Sequence, residues 1–149
     1  MADVDGTPTR PRRIGRSIGA VFAGILAIVV LDMGIDHILH TSGIFPPYGE
    51  SMADGLFLLA LGYRIVDSIV GTFLTASLAP SRPLRHALIL GAIGVVLSSL
   101  GALATIAAGP ELGPTWYPLT LVAVALPCAY VGGKLAERRR QATLQPVLA

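Results

Sequence analysis

Four long apolar runs, separated by short polar segments rich in Gly and Pro, govern the pattern of side chains along this chain: roughly residues 18–39, 52–78, 84–108 and 116–135. Each is close to the ~20 residues that a helix rising ~1.5 Å per residue needs to cross about 30 Å of hydrocarbon. The pattern predicts an all-α fold, a four-helix transmembrane bundle built from two helical hairpins. A chain of 149 residues with four spans leaves no room for a separate soluble domain. The membrane domain is expected over residues 16–137. The polar, turn-rich segment over residues 1–15 reads as a disordered tail, and residues 138–149 as a second tail.

Composition agrees with this pattern. Hydrophobic residues make up 53% of the chain and charged ones 13%, with a mean hydropathy of +0.69, outside the usual mix of a soluble domain. Positive charge is unevenly placed. Arg10, Arg12, Arg13 and Arg16 precede the first run, Arg82 and Arg85 lie between the second and third, and Lys134, Arg138, Arg139 and Arg140 follow the fourth. Cytoplasmic loops hold an excess of Lys and Arg, so both termini are expected in the cytoplasm, with the GIFPPYGES and GPELGPT loops outside. Phe45, Tyr48, Trp116 and Tyr117 then gather at the outer boundary as an aromatic belt. The net charge of +2 expresses orientation and attraction to the lipid bilayer's anionic headgroups, not nucleic-acid binding. The apolar run after PRRIGRSIG continues into LDMGIDHILH without a small-residue cleavage site, so it reads as a span rather than a signal peptide.

One cation breaks the pattern. Arg64, near the middle of an apolar run, is the single member of the eleven Lys and Arg residues that does not lie at an expected cytoplasmic edge, and it meets acids also placed inside apolar runs: Asp67 three residues on, and Asp32 and Asp36 in the preceding run. An ionisable residue within a span marks a functional site by default. Asp32, Asp36 and His40, spaced by four, form one stripe on the first helix. A hairpin closing near His40 and Met52 places the Arg64 side chain, leaning toward its helix N-terminus, in the direction of Asp32. The expected network joins Arg64 to Asp32 and Asp67, with Asp36 as a further member.

Two readings of this network compete. In the first, the cluster belongs to a small transporter-like or channel-like protein, proton-linked, or to an accessory subunit. Asp32, Asp36, Asp54 and Asp67 outnumber Arg64, and surplus carboxyls in a poorly solvated site can take up and release protons. In the alternative, Arg64 clamps the first hairpin of a non-catalytic scaffold or assembly protein, because an unpaired charge in a membrane costs several kcal/mol.

A third reading concerns the outer rim. His37, His40, Glu50 and Asp54 are of zinc-compatible type and flank the FPPYG loop, so they are the candidate metal ligands. The set lacks an HExxH arrangement, and no base and substrate cleft can be named, which disfavours an enzyme. Haem is disfavoured because His86 lies at the opposite end of the spans from His37 and His40. No phosphate-cradling or nucleophile-elbow motif is present. The single Cys128 permits no intrachain disulfide and reads as a packing residue.

Small residues recur at four-residue spacing: Ala20 and Gly24; Gly94, Ser98 and Ala102; Ala125, Ala129 and Gly133. Such rows let helix backbones approach closely, either within one chain or in a homo-oligomer or a complex with a membrane-protein partner. VGTFLTASLA and VGGKLAERR echo one another near the ends of the second and fourth runs, as in parallel repeats. Pro127 is expected to bend the fourth helix.

LHTSGIFPPYGESMADGLFLLALGYR, APSRPLRHALILG, GPTWYPL and ALPCAYVGGKL together resemble a recurrent, uncharacterised family of short bacterial four-span integral membrane proteins. The resemblance covers about residues 20–135. It implies four spans and a bacterial inner-membrane location, and brings no activity, cofactor or catalytic residue with it.

Overall fold

The computed structural model describes residues 10–50 and 52–144. Within them the chain is all-helical: α1 (Arg10–Thr41), α2 (Asp54–Leu78), α3 (Pro83–Ala108) and α4 (Trp116–Leu144), with a short 3-10 turn at Pro110–Leu112 and no strand. All four helices are long and apolar enough to cross a membrane. The best windows of α1 and α3 reach mean hydropathies of 2.4 and 2.3, and those of α2 and α4 only 1.6. For α2 the difference reflects Tyr63, Arg64 and Asp67, inside an otherwise apolar helix.

The helix ends depart from the expected ones. Helix α1 takes in residues 10–15, which the sequence assigns to a disordered tail; Pro11 falls in the first turn, where a missing N–H costs nothing. Helix α4 continues to Leu144, past the expected boundary at residue 137, through the helix-forming series AERRRQATL. Arg140 ties this extension to the end of α2 by donating to the Ala79 carbonyl at 2.9 Å. Residues 1–9 and 145–149 of the expected tails lie outside the described residues. Helix α2 starts at Asp54 after an extended Ala53, and an acid in the first turn suits the helix dipole.

Helix α4 packs on both α2 and α3, and α1 packs mainly on α2. The contacts are made by small residues. A Cβ on Gly24 would meet the Thr75 hydroxyl and lie 2.7 Å from the Gly71 carbonyl oxygen, so α1 and α2 touch backbone to backbone there. Gly132 is equally crowded, with the Ile69 carbonyl oxygen 2.6 Å from where a Cβ would stand. Gly91 faces Ala129, and Gly133 faces Ala87. Ala20, Ala102 and Ala129, from the expected rows, are buried.

Most buried apolar side chains are alanines, whereas Ile18, Phe22, Met33 and Leu103 are each 66–68% exposed. Small residues inside and large apolar ones outside is the reverse of a water-soluble bundle and in keeping with lipid as the surroundings. Cys128 is buried and free, and its carbonyl accepts from the Thr72 hydroxyl at 3.4 Å. Pro127 stands inside α4, which runs on through it.

The segment between α1 and α2 folds back over the helix ends. His40 Nδ1 lies 2.7 Å from the Pro46 carbonyl oxygen, and its ring stacks on Tyr48 with centroids 3.8 Å apart. Phe45 is only 3% exposed, so it plugs this fold instead of joining an aromatic belt. Gly43 and Gly49 supply the turns with φ of +75° and +93°, a region that glycine enters without a Cβ clash.

Candidate functional site

The four intramembrane charges come together where α1 meets α2. Arg64 Nη2 donates to Asp36 Oδ2 at 2.8 Å, while Arg64 Nη1 is 3.9 Å from Asp32 Oδ2. The Tyr63 hydroxyl donates to Asp36 Oδ1. Both oxygens of one carboxylate are therefore held by successive residues of α2, which a helix sets about 100° apart. Tyr117 of α4 brings its hydroxyl beside the Arg64 guanidinium.

The primary partner differs from the expected one. Asp36, not Asp32, is nearest to Arg64, and Asp67 makes no ion pair with it. The cause is the packing of Gly24 on Gly71 together with the lean of the long Arg64 side chain toward the N-terminus of α2. These bring Arg64 closer to the level of Asp36 than a turn at His40 and Met52 would. Asp67 turns instead toward Asp32, within hydrogen-bonding reach. Asp32 Oδ1 and Asp67 Oδ2 are buried and receive no donor. Asp67 itself is 3% exposed, a burial that an ionised acid adopts only with compensation.

Two cavities meet at this cluster. One, of about 370 Å³, lies among all four helices with walls such as Ile28, Leu90, Ile93 and Val124, and with Asp32 and Arg64 at one end. The other, of about 260 Å³, lies beneath the loop after α1 and is lined by Asp36, His40, Glu50, Glu111, Tyr117 and Arg64. Arg64 lines both. The guanidinium and its carboxylates thus stand between a mainly apolar chamber and an acidic vestibule.

The outer-rim set comes together only in part. His40 and Glu50 line the vestibule, whereas His37 and Asp54 are exposed on the surface. Among the described residues no group of three or more His, Cys, Asp or Glu side chains is placed to hold a metal ion. The expected convergence fails because His40 is committed to the Pro46 carbonyl and His37 lies about 100° around the helix from Asp36. His86 is buried elsewhere, its Nδ1 3.2 Å from the Arg82 carbonyl oxygen.

Sequence reasoning missed Tyr63 and Glu111. For Tyr63 a signal existed, since a tyrosine inside an apolar run needs a partner for its hydroxyl and the nearest charges were already in hand. Glu111 had none, because its approach to the site depends on the fold of the segment before α4. No protein-family model, curated protein or solved structure matches this chain.

Proposed function

We propose that this is a multi-pass protein of the bacterial inner membrane, with both termini cytoplasmic and its helices paired as two hairpins. We assign it a transporter-like or channel-like role, or that of an accessory subunit, in which the carboxyls around Arg64 take up and release protons. The observation that carries this reading is the position of Arg64 between two cavities, lining both. A purely structural clamp needs no space on either side of it. The placement of Lys and Arg at the loop between α2 and α3 and near both termini supports the orientation.

The scaffold reading is favoured by one feature: Tyr63 and Arg64 together grip Asp36 and join α1 to α2. Reconstitution separates the two. Proteoliposomes holding a pH-sensitive dye should show protein-dependent proton movement under an imposed gradient, and Asp32→Asn should abolish it while the variant stays folded in detergent with at most a small fall in unfolding temperature. A scaffold would move no protons in the wild type, and the same substitution would only destabilise it.

A further inference from the structure

The larger cavity differs in kind from the vestibule. Its walls come from every helix and are almost wholly apolar, with polarity concentrated at the Asp32 and Arg64 end. Of the three hydroxyls that line it, those of Ser68, Thr72 and Ser98, two are spent on backbone carbonyls: Thr72 donates to Ser68 O at 2.7 Å and Ser98 to Gly94 O at 2.7 Å. Val29 and Leu97 belong to its lining and are 44% and 58% exposed. The chamber therefore opens sideways between α1 and α3, helices that barely touch. A solute entering by that side comes from an apolar medium.

The charge at the Asp32 and Arg64 end decides which solutes fit. Among the described residues the charged or titratable groups facing Asp32 are Asp36 on α1, Arg64 and Asp67 on α2, and Tyr117 on α4, with Tyr63 of α2 against Asp36. Helix α3 contributes no charged side chain to the lining. Three carboxyls thus face one guanidinium. Both terminal nitrogens of Arg64 already look onto carboxylates, at 2.8 and 3.9 Å, and only its Nε is buried without an acceptor, so the carboxyls still outnumber the positive charge. The group in deficit is a cation. Asp32 Oδ1 is an acceptor without a donor, and the deeply buried Asp67 behind it has another in Oδ2.

We propose that this chamber binds a lipophilic monocation, an organic ammonium or phosphonium with an apolar body, whose charge rests against Asp32. The cavity volume of about 370 Å³ lies within the ~300–1,000 Å³ of small-molecule sites, which combine apolar walls with a few placed polar groups. In this proposal the cation and a proton compete for the carboxyls of Asp32 and Asp67, so one positive charge enters as one proton leaves and the cluster keeps its net charge. This inference deepens the transport reading and rests on it for its biological sense, but the site is testable by binding alone.

Tetraphenylphosphonium and tetraphenylborate have one shape and opposite charge, and equilibrium dialysis of both against the detergent-purified full chain tests the proposal. Saturable binding of the phosphonium at one per chain, with proton release in weak buffer, is expected, and no saturable binding of the borate. Asp32→Asn should weaken the phosphonium by about tenfold or more, since a charge partner in poorly solvated surroundings is lost. Gly94→Leu is the second variant. A Cβ at Gly94 meets only the Ala125 Cβ, at 3.8 Å, so the longer side chain occupies the chamber without a backbone clash and should also abolish binding. Thermal unfolding checks that each variant is folded, and if Asp32→Asn is not, Gly94→Leu decides. Equal binding of the borate, or unchanged phosphonium affinity in the folded variants, overturns the assignment. Binding without proton movement in proteoliposomes sinks the transport reading and leaves the site; proton movement without phosphonium binding does the reverse.

Discussion

Tyr63 donates its hydroxyl to the Asp36 carboxylate oxygen opposite the one that receives Arg64. Asp36 is thereby saturated by two donors of one neighbouring helix, whereas Asp32 keeps an oxygen with no donor. The two acids, one helical turn apart on the same stripe, have different work: Asp36 holds α1 to α2, and Asp32 is left for exchange with a proton or a cation.

The grip of Tyr63 has a measurable worth. Tyr63→Phe removes one donor to a charged group and leaves the ring in place, so it should cost about 1–2 kcal/mol of stability. Chemical unfolding in detergent micelles reads this directly. A change near zero would mean that the hydroxyl contributes nothing to joining the helices.

Asp36 and Asp32 should separate under the same substitution. Asp36→Asn leaves Arg64 with only the 3.9 Å contact to Asp32. Breaking a buried pair costs ~3–5 kcal/mol, and because the Arg64 and Asp36 side chains are 29% and 27% exposed, about 2 kcal/mol is expected after screening. Asp32→Asn keeps the shorter pair and should cost under about 1 kcal/mol. Unfolding midpoints in the opposite order would reverse the division of roles.

The glycines of α1 make a matched pair. Gly24→Ala pushes a methyl group into the Thr75 hydroxyl and the Gly71 backbone and should destabilise by about 1–3 kcal/mol as overpacking does. Gly34 has nothing within 4 Å of a Cβ, so Gly34→Ala should be neutral or gain up to ~1 kcal/mol from helix propensity. Thermal unfolding of the two variants side by side makes the comparison.

Orientation is open to fusion reporters. A fluorescent protein fused after Ala149 should fluoresce, because it folds in the cytoplasm. Alkaline phosphatase fused after Gly113 should be active, because the segment between α3 and α4 is expected outside. The reverse pattern in cells would invert the assigned topology.

Much of the architecture was legible before folding was considered. The four helices follow from hydropathy summed over some twenty neighbouring residues, a property that needs no knowledge of what packs where. Arg64, Asp32, Asp36 and Asp67 were legible as a group for a related reason: a charge in an apolar run must find its opposite, and few opposites existed. Ala20, Gly24 and Ala129 announced packed faces by their spacing.

The particular partners were decided elsewhere. That Arg64 takes Asp36 before Asp32 depends on Gly24 meeting Gly71, a contact between residues far apart in the chain, and on the reach of its side chain toward the N-terminus of α2. That Asp67 turns to Asp32 and that Tyr63 completes the grip on Asp36 are consequences of the same register. The two cavities on either side of Arg64 belong to no local segment, since their walls are assembled from several helices and loops. Hydropathy is a sum along the chain, so the sequence by itself determines which segments are helical spans and which charges must meet. Distances between side chains of different helices are set by backbone contacts at glycines and by loop folding, and only the tertiary structure decides those.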